Sequence, residues 1–123
     1  PGEFANLHNI GVDSRSRIFI CDRENNRIQL FDDEGNFLEE WTDLQAPGDI
    51  WFSDDLAYVI EQSPNNGVSI WTLDGDVISR WTTSEGAGQG TLIGGHGICV
   101  DSQGSIYVTE IGQGERVSKF VRV

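Results

Sequence analysis

Ile18-Phe19-Ile20-Cys21-Asp22, then Arg27-Ile28-Gln29-Leu30-Phe31, then Asp33-Glu34-Gly35-Asn36-Phe37-Leu38 is the stretch on which the fold turns, because it comes back. The second copy reads Ala57-Tyr58-Val59-Ile60-Glu61, Gly67-Val68-Ser69-Ile70-Trp71 and Leu73-Asp74-Gly75-Asp76-Val77-Ile78. Phe31 and Trp71, Gly35 and Gly75, and Trp41 and Trp81 are each 40 residues apart. A third copy carries Ile106-Tyr107-Val108-Thr109-Glu110 and Arg116-Val117-Ser118-Lys119-Phe120, the latter 49 residues beyond its counterpart. A shorter apolar pulse precedes each: Ile10-Gly11-Val12-Asp13, Ile50-Trp51-Phe52-Ser53 and Ile98-Cys99-Val100-Asp101. Repeats of this length must be found first, since they decide the architecture.

Each pulse is four to six residues long, rich in Val, Ile, Phe, Tyr and Trp, and ends in turn chemistry such as Asp54-Asp55, Asn65-Asn66-Gly67 or Gln103-Gly104. No stretch has convincing helical periodicity. The unit is therefore predicted to be a four-stranded antiparallel meander of about 40 residues, the size of a propeller blade. Its second strand is apolar nearly throughout, as befits a strand covered on both faces. The expected blades run over about 1–41, 42–81 and 82–123. After Phe120 only three residues remain, so the last blade is expected to lack its outer strand. Pro1 to Leu7 is a short lead-in that does not obviously supply it.

Composition narrows the partners. The 123 residues carry 20 Asp and Glu against 8 Lys and Arg, a net charge of −12, which repels nucleic acid and anionic membrane surfaces. The apolar runs fall far short of the roughly 20 residues that span a bilayer. Hydrophobic content of 37% with 12 aromatics supports a packed core. There is no methionine and the chain starts Pro1-Gly2-Glu3-Phe4, as in a processed product or a piece of something longer. Any targeting signal would lie before Pro1, so the compartment is open. Cys21 and Cys99 read as small buried residues, with a disulfide as the lesser option.

The runs His8-Asn9-Ile10-Gly11-Val12-Asp13 and Ile18 through Gln29, repeated as His96-Gly97-Ile98-Cys99-Val100-Asp101 and Arg116 through Phe120, resemble NHL repeats, the blades of a class of six-bladed propellers. The resemblance covers essentially the whole chain and is weaker in the second unit, where Gly48 takes the His position. More narrowly, the sequence is similar to the C-terminal half of peptidyl-α-hydroxyglycine α-amidating lyases. That resemblance implies a propeller with zinc held by three histidines, cleaving a carbinolamide peptide end to an amide and glyoxylate. It also admits a secreted or periplasmic location. His8 and His96 match the contexts of two zinc histidines. Arg23, following Asp22, matches an active-site arginine. The third histidine, a tyrosine and a second arginine of that family belong to blades outside this sequence. Gly97 stands where the family has an acid that helps hold a structural calcium, which puts calcium in doubt.

Each candidate also has a structural reading. His8 and His96 open inner strands two blades apart, and either ligate metal in a complete propeller or cap the strand against a neighbouring loop. Arg23 either holds a substrate carboxylate or alkoxide, or forms an ion pair with Asp22, Glu24 or Glu61. Tyr58 and Tyr107 belong to packing. Gly86-Ala87-Gly88-Gln89-Gly90 lacks the Lys-Ser/Thr and helix of a phosphate loop and reads as an inter-blade connection. Asp32-Asp33, Glu39-Glu40 and Asp54-Asp55 read as solvated surface. Two functions stand: a zinc-dependent lyase segment, or a non-catalytic module holding peptide or protein at its channel mouth or rim. A calcium-dependent lactonase-type propeller is a third, without a motif here. Three blades cannot close a ring, so the expectation is half of a longer propeller, or two-fold pairing of two copies into six blades.

Overall fold

The computed structural model describes residues 1–82, 92–112 and 114–121, and is all-β apart from one 3-10 turn at Arg23–Asn25. The Gly86–Gly90 stretch lies outside the described residues. Three antiparallel sheets follow one another. The first is β1 (Leu7–Val12), β2 (Ile18–Asp22), β3 (Arg27–Phe31) and β4 (Phe37–Trp41); the second is β5 (Pro47–Ser53), β6 (Leu56–Glu61), β7 (Gly67–Thr72) and β8 (Val77–Thr82). The third has three strands among the described residues, β9 (Gly95–Val100), β10 (Ile106–Glu110) and β11 (Val117–Phe120), with β11 at its outer edge. Each sheet is a meander in sequence order, as the repeats predict: three propeller blades, the last with three strands among the described residues. No helix among the described residues is long and apolar enough to cross a membrane.

Aspartates hold many of the turns. Asp13 Oδ1 accepts the N–H groups of Arg15 and Arg17, Asp32 Oδ1 those of Glu34 and Asn36, and Asp101 Oδ1 those of Gln103 and Ser105, at 2.7 to 3.0 Å. Asp54 and Asp55 both take positive φ, 49° and 56°, the conformation that joins two strands through a two-residue turn. Of the acid pairs, Asp32 and Asp54-Asp55 therefore shape turns as well as facing water.

Alternation along the strands gives each blade two packing faces. Phe19, Cys21, Ile28 and Leu30 of the first blade meet Ile50, Ala57, Val59 and Trp71 of the second in one core cluster. Tyr58, Ile60 and Val68 of the second meet Ile98, Val100, Ile106 and Val108 of the third in another. A side chain buried this way contributes about 1.5–3 kcal/mol each. An aromatic lock recurs at each junction. Trp41 stacks on Trp71, centroids 5.0 Å apart, and Trp81 leans on Phe120 at 5.5 Å. Phe31, the counterpart of Trp71 and Phe120, instead meets Phe4 of the lead-in and Phe37.

The same positions explain what the first blade leaves open. Ile50 and Ile98 are about 5% exposed, whereas Ile10, at the matching place in blade one, is 62% exposed, and Val12 is 61% exposed against 8% for Val100. Both cysteines are free thiols. Cys21 is buried as expected, and burial, with Asp49 nearby, pushes its thiol far above the ordinary range. Cys99 is exposed, contrary to expectation: Ile98 and Val100 turn into the second blade, so alternation turns Cys99 away from it.

Candidate functional site at one mouth of the channel

The three innermost strands, β1, β5 and β9, lie side by side and begin at the same end of the segment. Each is interrupted at its second residue. Leu7 pairs with Asp22 and Asn9 with Cys21, leaving His8 as the extra residue of a bulge. Gly48 is skipped in the same way between Pro47 and Asp49, and His96 between Gly95 and Gly97. Bulges re-aim a side chain out of the pleat and are frequent beside functional sites. Here they turn His8 and His96 toward one another. Their ring centroids are 4.9 Å apart at 67°.

His8 Nδ1 lies 2.7 Å from the carbonyl oxygen of Gly48. A carbonyl only accepts, so Nδ1 is the donor, and in the neutral ring Nε2 keeps the lone pair. Asp49 ties the three strands together just beyond the bulge. Its Oδ1 accepts from Asn9 Nδ2 and, at 2.8 Å, from Ile50 N–H, while Oδ2 accepts from Ile98 N–H at 2.9 Å. Burial pushes its carboxyl above the usual range, offset in part by the Ile98 and Ile50 N–H groups and by the nearby His96 and His8.

Arg23 sits at the same end. Its Nε and Nη2 each lie 3.0 Å from Glu24 Oε1, and Nη1 donates to Gln62 Oε1 at 3.3 Å. Gln62 Nε2 in turn donates to the carbonyl of Gly95, next to His96. The three residues picked out in the sequence are thus brought to one mouth. Of the three ion-pair partners considered for Arg23, the structure supplies Glu24. Asp22 pairs with Arg27 and Glu61 with Arg80. Tyr58 is buried in the core, and Tyr107 donates to Asp101.

A set of residues the sequence reading passed over holds the mouth in place. The acid closing each second strand, Asp22, Glu61 or Glu110, is buried. One oxygen of each accepts the N–H of the residue three places before the bulge: Ala5 at 2.8 Å, Gln45 at 2.9 Å and Ile93 at 2.8 Å. The other oxygen takes an arginine Nε, from Arg27, Arg80 and Arg116, at 2.7 to 2.9 Å. The recurring terminal acid was visible in the repeats; its partners were not, because the second blade exchanges them. Gly67 replaces Arg27, and Arg80 stands across the sheet where the first blade has Glu40. Hydrogen bonds outweigh the burial penalty on Asp22 and Glu110, so both carboxyls lie below their ordinary range.

Among the described residues no group of three or more His, Cys, Asp or Glu is placed to hold a metal ion. Two imidazoles on a tetrahedral zinc, with Zn–N near 2.0–2.1 Å, would have ring centroids about 5 Å apart. The 4.9 Å between the His8 and His96 rings equals that spacing. Gly97 offers no side-chain oxygen where the resemblance implies an acid, and a Cβ there would stand 2.7 Å from Thr109 Oγ1.

Blades meandering outward from adjacent inner strands define a β-propeller, and comparison with solved structures agrees. Virginiamycin B lyase from Staphylococcus aureus superposes with a TM-score of 0.73 at 19% identity, over 98% of this chain and 43% of that one. The blades are of the NHL type. Human NHL repeat-containing protein 3 is 36% identical over 64 residues, 49% of this chain and 18% of that protein. Drosophila melanogaster Protein brain tumor is 25% identical over 118 residues, 89% of this chain and 11% of that protein. No protein-family model matches. The chain therefore spans less than a fifth of these relatives and under half of the solved propeller.

Proposed function

We propose that the three blades form one side of a metal-dependent lyase propeller, with His8 and His96 supplying two imidazole nitrogens to one zinc ion at the channel mouth. The observation that carries this reading is the pair of bulge-borne rings 4.9 Å apart. A strand-capping role would explain the bond from His8 to Gly48, but not two imidazoles converging on one another. The resemblance to amidating lyases names the reaction as C–N cleavage of a peptidyl-α-hydroxyglycine. Zinc bound there would act as a Lewis acid toward the substrate hydroxyl. Within this chain, the Gly48 carbonyl fixes the tautomer of His8, Asp49 favours positive charge at the mouth, and Arg23 offers a planar donor set to an anionic group of the substrate. The remaining ligand and the base would come from further blades. One observation favours the second reading, a non-catalytic peptide-binding propeller: the described residues contain no third donor at the pair.

Zinc calorimetry on the chain separates the two. One zinc per chain, lost equally in His8→Ala and His96→Ala, supports the lyase reading. A chain that takes no zinc, or keeps it in either variant, leaves the binding module.

A further inference from the structure

Beyond the histidine pair, the inner strands form the wall of an open hollow of about 470 Å³, lined by residues 9–12, 49–52 and Ile98. Three features of its wall point to one kind of occupant. First, Trp51 is 43% exposed in it, whereas Trp41 and Trp71 are buried. The places matching Trp51 on the flanking strands are Gly11 and Cys99, too small to cover an indole. Second, Asp49 precedes Trp51 by two residues on the same face of β5. Unlike Asp22, Glu61 and Glu110, it has no Lys or Arg ion-pair partner among the described residues. Its Oδ2 accepts only from Ile98 N–H among the bonds found, leaving acceptor capacity beside the hollow. Third, no Lys or Arg lines the hollow, in a chain of net charge −12.

We propose that this hollow binds the cationic side chain of a basic peptide, its guanidinium or ammonium lying on the Trp51 indole and directed to the Asp49 carboxylate. An indole face attracts a cation through its quadrupole, most strongly where water is partly excluded. The indole of Trp51 also supplies apolar contact for the aliphatic stem, which long basic side chains bury while keeping their charge near water. Neither histidine lines the hollow, so removing their rings leaves its wall in place.

The test uses the full chain at low salt, with Nα-acetyl-arginine amide as probe and the neutral isostere Nα-acetyl-citrulline amide as control, followed by NMR of the Trp51 indole N–H. The arginine probe is expected to bind at least tenfold more tightly than citrulline. Trp51→Ala and Asp49→Asn should each weaken it about tenfold, and His8→Ala/His96→Ala should leave it unchanged. Equal binding of the two probes, or binding within twofold of wild type in Trp51→Ala, overturns the proposal. Should a variant fail to fold, the unmodified chain decides: 0.5 M salt must weaken the arginine probe and not citrulline. Loss of zinc binding in the double histidine variant with retained arginine binding would separate this site from the metal reading.

Discussion

Replacing Asp22 by alanine removes the carboxylate that joins the lead-in to the first blade. That carboxylate is fully buried and accepts from Ala5 N–H at 2.8 Å, Asn25 Nδ2 at 2.9 Å and Arg27 Nε at 2.8 Å. Breaking a buried ion pair from one side costs about 3–5 kcal/mol. Arg27 keeps a bond to the Glu3 carbonyl and a longer contact to Glu40, and water reaches it, so the expected loss lies at the low end, about 3 kcal/mol. For a chain of this size that corresponds to a fall in melting temperature of about 10 °C. Urea unfolding followed by tryptophan fluorescence measures it. The acid limb supplies a second reading with a fixed sign. The folded carboxyl is held below its unfolded value, so its contribution is complete above about pH 4 and disappears as pH falls through the folded value. Wild type should therefore lose stability below about pH 4 faster than Asp22→Ala. The control is the Arg15–Asp74 bridge, 2.6 Å long but on the surface, whose removal should be undetectable. A loss under about 0.5 kcal/mol for Asp22→Ala, or parallel acid limbs, would refute the reasoning.

Other consequences follow from particular positions. Gly67→Ala places a Cβ 2.0 Å from the carbonyl oxygen of Trp81, so β8 must move, and unfolding should show about 3 kcal/mol of destabilisation. Gly48→Ala meets only the flexible end of Gln62, at 2.8 Å, and should cost little stability while breaking the link from Arg23 to the Gly95 carbonyl, seen as a changed His96 NMR signal. The open face of blade one is expected to pair two copies of the isolated chain. Light scattering should report twice the 13.6 kDa chain mass, falling to one chain for Ile10→Lys; a wild-type monomer would end the pairing idea.

How far the sequence reached is clearest at three places. The strands were legible because every pulse is β-branched or aromatic and bounded by Asp, Asn or Gly, so local signals agree with the repeat. His8 and His96 were legible as equivalents, since they occupy one place in the repeat. Their convergence was not, because it depends on bulges that change the pairing by one residue and leave no mark in composition. The arginine partners of the buried acids were hidden for a different reason. Arg27 and Arg116 share a repeat position, but the second blade takes Arg80 from across the sheet, and that becomes apparent only when β7 and β8 are in register. Trp51 reads as one more apolar residue of an inner strand; only its small neighbours on β1 and β9 leave it facing open space.

The central claim is that His8 and His96 share one metal ion. A crystal of the chain grown with zinc, with diffraction recorded on both sides of the zinc absorption edge, tests it most directly. The account predicts one anomalous peak between the rings, about 2.1 Å from a nitrogen of each, with His8 bound through Nε2. A peak on one imidazole alone, or none at the pair while His8 still meets the Gly48 carbonyl, would contradict it and leave the histidines as caps of their strands.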